Sequence, residues 1–598
     1  MKLKIAISSG KGGTGKTFVA TNLAKVLSKN YKTRYIDCDV EEPNGYLFLK
    51  PEVIQEKGIK VLAPSFVDEN KCIGCRKCIE ACRFSALAFV KNKVLIFKEL
   101  CHACGACKIA CPENAFVEEE KDIGVIKEGR AGNIDFYYAI LEISEGTKTP
   151  RLVKKLKEYI DEGINILDSP PGTTCPVVET VKNVDLCILV TDPTPFGIND
   201  LKLALQMSRS LSLEPVVLVN RAGIDDKQLK DYCTKENLEI IGEIPDDLEI
   251  AKVYSQGELV VERIPHYENV FKNLALKIIE RAKNKKTPQK AERKEIGKPV
   301  LEKKVSFKKP KEIIVISGKG GTGKTSIVAC FSSLAGDNFA FSDCDVDASD
   351  LHLIFSPEIQ ERDFFVGGYS FKIKDDLCRG CGKCKEVCRF DAVIEKNGKY
   401  FIDFSSCEGC GACSLVCSYK AIEKEEKICG EYFLASSRFG PFSYAHLFPG
   451  EENSGKLVTY VKNNQYWLAQ KYEKDKALSD GSPGLGCPVI SSLRGADFAI
   501  VVTEPTVSGI HDMERILKLV FHFQIACGVI VNKYDLNEDM SKKIEDFCKL
   551  NNIEVLGKIP YDENFTLAQI KGLSLVEYIN NETTKLIKEI WRKINNYF

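Results

Sequence analysis

The stretch "SSGKGGTGKT" at residues 8–17 decides the fold of this chain, because it returns almost unchanged as "ISGKGGTGKT" at residues 316–325. Each copy fits the pattern G-x-x-x-x-G-K-[ST], follows a β-branched apolar stretch and precedes a stretch with helical periodicity. In that context the pattern predicts a phosphate-binding loop between a strand and a helix. Its glycines allow backbone N–H groups to surround phosphate oxygens.

The polar side chains of the loop indicate which ligand it binds. Lys16 and Lys324 would neutralise the β- and γ-phosphates, and the hydroxyls of Thr17 and Thr325 would bind Mg²⁺. A glycine-rich turn with a chance lysine is a poor alternative, because the pattern recurs in the same position of each half. Both halves are therefore expected to bind ATP and Mg²⁺.

The rest of the chain repeats in the same order, so its 598 residues form two homologous halves. "YIDCDVEEP" at 35–43 returns as "FSDCDVDAS" at 341–349, and "DSPPGTTCPV" at 168–177 returns as "DGSPGLGCPV" at 480–489. Short apolar strands alternate with helical stretches in each half. This alternation predicts the α/β class, with two tandem P-loop NTPase domains on mostly parallel, doubly wound sheets.

Composition and charge exclude several classes of protein. The chain has 84 basic and 84 acidic residues, and a neutral chain is not typical of a nucleic-acid binder. It has no apolar run long enough to span a membrane and begins without the pattern of a signal peptide, so we expect a cytoplasmic protein with no membrane contact. The amphipathic segment at 584–598 has a counterpart at the end of the first half, which favours packing within each domain over membrane docking.

The 26 cysteines are clustered, which favours metal ligation over disulfides. Each half contains two copies of C-x₂-C-x₂-C-x₃-C, the bacterial ferredoxin run, whose fourth cysteine binds the other cluster. Zinc is the alternative, but the third cysteine at the same interval favours iron–sulfur clusters. Four [4Fe–4S] clusters are predicted, on Cys72, Cys75, Cys78 and Cys111; on Cys82, Cys101, Cys104 and Cys107; on Cys378, Cys381, Cys384 and Cys417; and on Cys388, Cys407, Cys410 and Cys413.

The cysteine segments interrupt the strand–helix alternation, so each is expected to be a small inserted α+β domain like a bacterial ferredoxin. A lysine-rich stretch between the halves predicts a solvated linker. The predicted domains are the first ATPase domain at 1–66 and 118–280, its insert at 67–117, the basic linker at 281–311, the second ATPase domain at 312–372 and 423–598, and its insert at 373–422.

A second lysine in each phosphate loop indicates which family of ATPases the chain resembles. Lys11 and Lys319 turn each loop into K-G-G-x-G-K-T. With this lysine, the part of each half outside the insert resembles the MinD/ParA/Mrp family of ATPases, to which the nitrogenase iron protein is related. The resemblance implies a face-to-face dimer in which the early lysine of each half touches the nucleotide of the other. Because one chain holds both halves, we expect an intramolecular pseudo-dimer, with a dimer of whole chains as the alternative.

The resemblance also implies roles for further residues. Asp39 and Asp345 match the aspartate that orients the attacking water, and Asp168 and Asp480 match the aspartate that holds hydrated Mg²⁺. The expected nucleotide ligands are Gly12, Gly13, Thr14, Gly15, Lys16 and Thr17 with the adenine-contacting Asn220 in the first half, and Gly320, Gly321, Thr322, Gly323, Lys324 and Thr325 with Asn532 in the second.

Two cysteines outside the ferredoxin runs lie in the expected switch loop. Cys175 and Cys487 follow Gly172 and Gly484, which match the point where the family senses the γ-phosphate. The nitrogenase iron protein has a switch-loop cysteine that binds a cluster shared across its dimer, but its other, earlier cysteine has no convincing counterpart here. A shared metal or cluster site and a pair of packed residues both remain open.

The expected function is ATP-driven closure that controls electron delivery from [4Fe–4S] clusters to a partner metalloprotein, with separate redox donor and acceptor proteins. The alternative is a carrier or maturation factor, as in the Mrp branch, that delivers an iron–sulfur or metal cofactor to an apo-metalloprotein client. A positioning ATPase of the MinD/ParA type is less favoured, because sixteen ligand cysteines would have no purpose there. Oxygen-sensitive clusters favour an anaerobic source.

Overall fold

The computed structural model shows two halves with matching orders of helices and strands. Helix α11 (Pro265–Lys283) covers the first residues of the predicted linker, and strand β12 begins at Lys311. The rest of the linker prediction falls mostly on residues 285–308, which lie outside the described part of the chain. The structure describes residues 2–142, 148–223, 225–284, 309–451 and 453–597.

The first half is built on one large sheet with helices on both faces. Its strands are β1 (Lys2–Ser8), β2 (Thr33–Asp37), β3 (Glu52–Val67), β4 (Leu87–Val90), β5 (Lys93–Ile96), β6 (Phe116–Ala131), β7 (Ile134–Leu141), β8 (Gly163–Asp168), β9 (Leu186–Thr191), β10 (Val216–Ala222) and β11 (Ile240–Pro245). Its helices are α1 (Lys16–Leu27), α2 (Gly45–Leu49), α3 (Lys77–Ala81), α4 (Ala106–Ala110), α5 (Thr149–Leu156), α6 (Cys175–Val181), α7 (Pro195–Ser210), α8 (Lys227–Lys235), α9 (Leu248–Ser255), α10 (Val260–Arg263) and α11.

The nine strands of this sheet lie in the order β11-β10-β9-β1-β8-β2-β7-β6-β3. All neighbours from β11 to β7 are parallel, and β6 and β3 add an antiparallel edge. The central strands are buried on both faces: in β1, Ile5 and Ile7 join the core under α1 and α11, whereas Ala6 joins the core on the opposite face. Burial on both faces is typical of parallel sheets and explains the continuous apolar strands.

The second half repeats the arrangement. Its strands are β12 (Lys311–Ser317), β13 (Phe339–Asp343), β14 (Glu358–Ile373), β15 (Val393–Lys396), β16 (Lys399–Ile402), β17 (Ile422–Ser437), β18 (Gly440–Leu447), β19 (Lys476–Pro483), β20 (Phe498–Thr503), β21 (Ala526–Asn532) and β22 (Glu554–Ile559). Its helices are α12 (Lys324–Leu334), α13 (Leu351–Phe355), α14 (Lys383–Glu386), α15 (Ala412–Leu415), α16 (Ser454–Lys471), α17 (Cys487–Leu493), α18 (Val507–His522), α19 (Glu538–Leu550), α20 (Asn564–Ile570), α21 (Leu575–Tyr578) and α22 (Glu582–Asn595).

The second sheet has the order β14-β17-β18-β13-β19-β12-β20-β21-β22, which matches the first strand for strand. The prediction of two tandem α/β domains on mostly parallel sheets is confirmed. The last helix, α22, buries Ile587, Ile590, Trp591 and Ile594 against the core of its own domain. Among the described residues, the structure contains no helix with the length and hydropathy needed to cross a bilayer.

The cysteine segments sit at the ends of long antiparallel ribbons. Strands β3 and β6 pair along their length, and the residues between them, 68–115, contain α3, α4 and the β4–β5 hairpin. In the second half β14 and β17 form the same ribbon around residues 374–421. We call these two segments the first and second cysteine segments. The ribbon explains how each leaves the sheet without breaking its parallel strands.

Candidate functional site

The phosphate loop of each half lies between the first strand and the first helix of its sheet. Gly15 has φ +97° and Gly323 has φ +88°, a left-handed conformation that favours glycine. The side-chain amide of Asn220 donates to the Thr14 carbonyl at 2.8 Å, and Asn532 repeats this contact in the second half at 2.7 Å. The two asparagines expected to contact adenine therefore lie directly against the loops.

The two phosphate loops face each other across the boundary between the halves. A methyl group added at Gly12 would lie 2.7 Å from Gly320 Cα, and one at Gly13 would lie 2.3 Å from Gly321 Cα. Contacts this short allow no side chain at these positions. The glycines are therefore required for the approach of the two halves as well as for wrapping phosphate.

The two early lysines lie in different surroundings. The Lys11 ammonium crosses to the second half, where it binds the Asp350 carboxylate and the Ala348 carbonyl. The Lys319 ammonium lies 3.2 Å from Glu504 Oε1 and 2.6 Å from Ser508 Oγ of its own half, and 5.9 Å from the centre of the Tyr254 ring of the first half. Lys11 thus forms an ion pair across the boundary, whereas the ion pair of Lys319 is within its own half; contact of either lysine with the nucleotide of the other half stays a prediction.

Electrostatics hold both lysines in the charged form. Burial alone would lower the pKa of Lys11, but Asp350, Asp200 and Asp345 outweigh it and raise the pKa well above the usual value. Burial would also lower the pKa of Lys319, but Tyr254 and Glu504 outweigh this effect and raise the pKa above its usual value. The interface therefore holds two cations among carboxylates.

The expected Mg²⁺-binding aspartates end the strands next to the loops, and their contacts also differ between the halves. The Tyr35 hydroxyl donates to Asp168 Oδ2 at 2.7 Å, whereas Phe341, the counterpart of Tyr35, has no hydroxyl. In the second half the Lys324 ammonium binds Asp480 directly. Within the described residues, one buried oxygen of each aspartate has no hydrogen-bond partner. Such an oxygen fits a Mg²⁺ ion or its water.

The predicted switch aspartates are buried with further acidic groups. Burial, and then the neighbouring Glu41, raise the pKa of Asp39 to about 8. Burial also raises the pKa of Asp345 to about 7, although Lys11 lies nearby. Both carboxyls therefore retain protons near neutral pH, because burial outweighs the attraction of Lys16 at Asp39 and of Lys11 at Asp345.

The Glu41 backbone ties the first switch to the opposite half. The Arg515 guanidinium donates to the Glu41 carbonyl, and the Glu41 carboxylate lies beside Gly486 in the second switch loop. Sequence reasoning did not identify Arg515, because its counterpart in the first half is Leu203 and a motif comparison gives no signal at this position.

In the first cysteine segment, four thiols of one predicted set line a common cavity. The cavity is small, about 10 Å³, and its wall includes Cys72, Cys75, Cys78 and Cys111. Cys75 is exposed, as is its counterpart Cys381 in the second segment. The spacing rule therefore selected four residues that the fold brings together from positions 39 residues apart in sequence.

Neighbouring thiols also lie close together in two of the other predicted sets. Burial, and then Cys104, Cys101 and Cys82, raise the pKa of Cys107, so these four side chains lie close together. In the second segment burial, followed by Cys407, Cys388 and Cys384, raises the pKa of Cys413 to about 12.

Among the described residues, no three His, Cys, Asp or Glu side chains are close enough to bind one metal ion. A [4Fe–4S] cluster places each thiolate on a different iron, so its ligands lie farther apart than those of a single ion. The all-thiol donor sets are of the kind that iron–sulfur clusters use, and the four thiols of the first set line one cavity.

The two cysteine segments contact each other across the halves. Cys410 is the main cause of a lowered pKa of about 7 at Cys104, so these two thiols lie close together. His102 Nδ1 lies 3.0 Å from Glu408 Oε2 beside this thiol pair. Nearby, the Arg389 guanidinium binds the almost fully buried Glu118 at 2.8 Å. These contacts join residues about 300 positions apart, which no local pattern predicts.

Two segments of the chain, residues 5–260 and 313–576, match the CobQ/CobB/MinD/ParA nucleotide binding domain. The chain belongs to this family. Each half therefore carries one CobQ/CobB/MinD/ParA nucleotide-binding domain, and a cysteine segment lies within each matched range.

Relatives of this CobQ/CobB/MinD/ParA protein align with about one half of it. An uncharacterized protein of Methanocaldococcus jannaschii is 33% identical over 258 residues, which is 42% of this chain and 90% of that relative. The iron-sulfur cluster carrier protein of Aquifex aeolicus is 26% identical over 286 residues, which is 44% of this chain and 63% of the relative. The cell division ATPase MinD of Pyrococcus furiosus aligns in structure with a TM-score of 0.30, at 18% identity, over 48% of this chain and all of that one.

The switch-loop cysteines of the CobQ/CobB/MinD/ParA domains have different neighbours. The Cys175 thiol points to the Gly450 carbonyl of the second half at 3.9 Å. Cys487 lies against the start of α16 in its own half, where a methyl at Gly455 would be 3.1 Å from the Cys487 carbonyl. A site shared by these two thiols stays a prediction. Sequence patterns did not identify Cys429, a buried cysteine of β17 in the second half, because the equivalent residue of the first half is Ile123.

Proposed function

We propose that this protein is an ATP-hydrolysing iron–sulfur cluster carrier that delivers clusters to an apo-metalloprotein client. The observation that carries the proposal is the convergence of the four thiols of Cys72, Cys75, Cys78 and Cys111 on one small cavity. Because Cys75 is exposed, a client thiolate can reach a cluster held there. Relatives named iron-sulfur cluster carrier proteins in Aquifex and Pyrococcus support this class of function.

ATP acts as the substrate that controls the interface between the halves. Each phosphate loop lies directly against the other, so a bound nucleotide must part the loops or reshape them. Lys16 and Lys324 bind the phosphates, Asp168 and Asp480 hold Mg²⁺, and Asp39 and Asp345 orient the attacking water. Differential contacts in the nucleotide-bound and nucleotide-free states then change the access of a client to the cysteine segments.

The proposal also covers the domains and the location. The segments 67–117 and 373–422 are the ferredoxin-like domains, the halves form the pseudo-dimer within one chain, and the protein works in an anaerobic cytoplasm. The cluster cargo supplies the chemistry to the client, and the chain itself supplies thiolates and a nucleotide-controlled interface.

Cluster transfer tests the proposal directly. The purified full-length protein is reconstituted with iron and sulfide under anaerobic conditions, and transfer to an apo-ferredoxin is followed by circular dichroism. We expect transfer that MgATP accelerates, and a double Lys16→Ala, Lys324→Ala variant that holds clusters but does not respond to MgATP. Retention of all clusters in the presence of the acceptor, with and without MgATP, would contradict the carrier function.

Electron transfer is the second candidate, and the Cys104–Cys410 contact favours it. If these thiols bind clusters, one cluster in each cysteine segment lies next to the boundary between the halves. Electrons from a donor protein could then cross from one segment to the other and reach an acceptor metalloprotein. An anaerobic EPR redox titration with and without MgATP separates the candidates: a nucleotide-dependent potential with no cluster loss supports electron transfer.

A further inference from the structure

The switch helix of the first half ends against the cysteine segment of the second. Helix α6 begins at Cys175, three residues after Gly172, and its C-terminal cap is Lys182. The Lys182 ammonium binds Asp403 Oδ2 at 2.6 Å and the hydroxyls of Ser405 and Ser406, each at 2.8 Å. Three oxygen acceptors thus surround one ammonium group.

This contact lies between the nucleotide loop and a predicted cluster ligand. Ser406 is next to Cys407 in sequence, and Asp403 directly follows β16. A helix of seven residues spans about 10 Å, so α6 reaches from the expected γ-phosphate sensor to the second cysteine segment in a single rigid piece.

The end of α6 is fixed within its own half, so the helix and its cap move together. The Lys157 ammonium binds the carbonyls of Glu179, Thr180 and Lys182, the last at 2.8 Å. These carbonyls lie at the helix C-terminus, where a cation is favourable. A tilt of α6 that begins at the switch loop therefore pivots about this end and changes the direction of the Lys182 side chain.

The contact is specific to one side of the molecule. In the first cysteine segment the positions of Asp403, Ser405 and Ser406 are occupied by Phe97, Glu99 and Leu100. Phe97 and Leu100 have no side-chain acceptor for a cation. Arg494, the counterpart of Lys182 at the end of α17, therefore cannot form the same set of three contacts.

We propose that Lys182 is a positioning residue that transmits the state of the first nucleotide site to residues 403–407 of the second cysteine segment. This inference rests on the proposed function, because it assumes that nucleotide controls the cysteine segments. It assigns the control of the second segment to the first nucleotide site. Coupling of this kind requires contacts that differ between two states of one element, and α6 is that element.

The test is hydrogen exchange measured by mass spectrometry on the full-length protein, with and without MgATP. In the unaltered protein, MgATP should change exchange in peptides that span residues 399–417. Lys182→Ala should reduce this difference at least about fivefold, whereas Lys182→Arg should keep most of it, because exchange reports local opening free energies. Arg494→Ala is the matched control and should leave the difference intact.

A second variant shows whether the effect of Lys182→Ala comes from loss of the contact or from a folding defect. Asp403→Asn combined with Ser405→Ala and Ser406→Ala removes the same contact from the opposite side and should reproduce the effect of Lys182→Ala. A nucleotide response at 399–417 that persists in both variants would overturn the inference.

Cluster transfer, measured separately, distinguishes the two hypotheses. A protein that shows the Lys182-dependent exchange response but transfers no cluster would refute the carrier function and leave the coupling standing. A protein that transfers clusters in response to MgATP, but whose exchange response does not depend on Lys182, would refute the coupling and leave the carrier function standing.

Discussion

Lys11 of the first half binds the carboxylate of Asp350 in the second half. The equivalent lysine, Lys319, lies near the Tyr254 ring of the first half but forms its ion pair with Glu504 of its own half. The difference follows from two substitutions between the halves: Asp350 replaces Asn44, and Glu504 is one methylene longer than Asp192. One chain thus contains two nucleotide sites with unequal access to a lysine from the other half.

Removal of the two lysines should therefore have unequal effects. We expect Lys11→Ala to lower the rate of ATP hydrolysis at least about tenfold, which corresponds to about 1.4 kcal/mol of transition-state stabilisation. Lys319→Ala should have a smaller effect, because Glu504 and Ser508 engage its ammonium. Steady-state phosphate release measures both. Equal losses in the two variants would show that the sites are equivalent during turnover.

The hydrogen bond from Tyr35 to Asp168 should stabilise the first half. Tyr35→Phe creates the residue that the second half has at this position, Phe341, and leaves a buried carboxylate oxygen without its donor. We expect a loss of about 1.5–3 kcal/mol in the free energy of unfolding, as for other hydrogen bonds to charged groups. Urea unfolding of the nucleotide-free protein measures it. Tyr472→Phe, at an exposed hydrogen bond to Gln360, is the control and should change stability little.

The buried switch carboxyls predict how stability depends on pH. The pKa values of Asp39 and Asp345, about 8 and about 7, are raised, so the folded protein keeps protons that the unfolded chain releases above about pH 4. The stability that these two protonated carboxyls contribute therefore falls as pH rises from about 4 to about 8, and it stays constant above about pH 8. The slope is at most about 1.4 kcal/mol per pH unit for each group.

The pH dependence can be checked by urea unfolding of the nucleotide-free protein between about pH 5.5 and about pH 8.5. A double Asp39→Asn, Asp345→Asn variant cannot lose these protons and should show a flatter profile. An unchanged slope in that variant would mean that other groups, such as Glu42 at the same interface, dominate the titration.

Loss of one exposed thiol should remove one cluster. Anaerobically reconstituted protein should contain about sixteen iron atoms, four for each predicted [4Fe–4S] cluster, and Cys75→Ser should lower this by about four. Cys527→Ala, outside the cysteine segments, is the control and should leave the iron content unchanged. Iron analysis and the absorbance near 400 nm measure the outcome. Zinc instead of iron in the native protein would contradict the cluster prediction.

The sequence by itself determined the phosphate loops, the duplication and the fold class. Each of these depends on patterns that can be read along the chain: a glycine-rich loop between a strand and a helix, or short apolar strands that alternate with helical stretches. Four cysteines at fixed spacing could be grouped for the same reason, because three of them, such as Cys72, Cys75 and Cys78, lie within seven consecutive residues.

Only the tertiary structure decided which residues of one half meet the other. The partners Lys11 and Asp350, Cys104 and Cys410, and Lys182 and Asp403 are separated by more than 200 residues. Cys104 and Cys410 are equivalent positions of the repeat, whereas the other two pairs are not. Their proximity depends on how two folded surfaces pack together. A duplicated sequence predicts a symmetric pair, but packing is decided by individual side chains that have diverged, such as Glu504 and Asp403, and these make the two halves unequal.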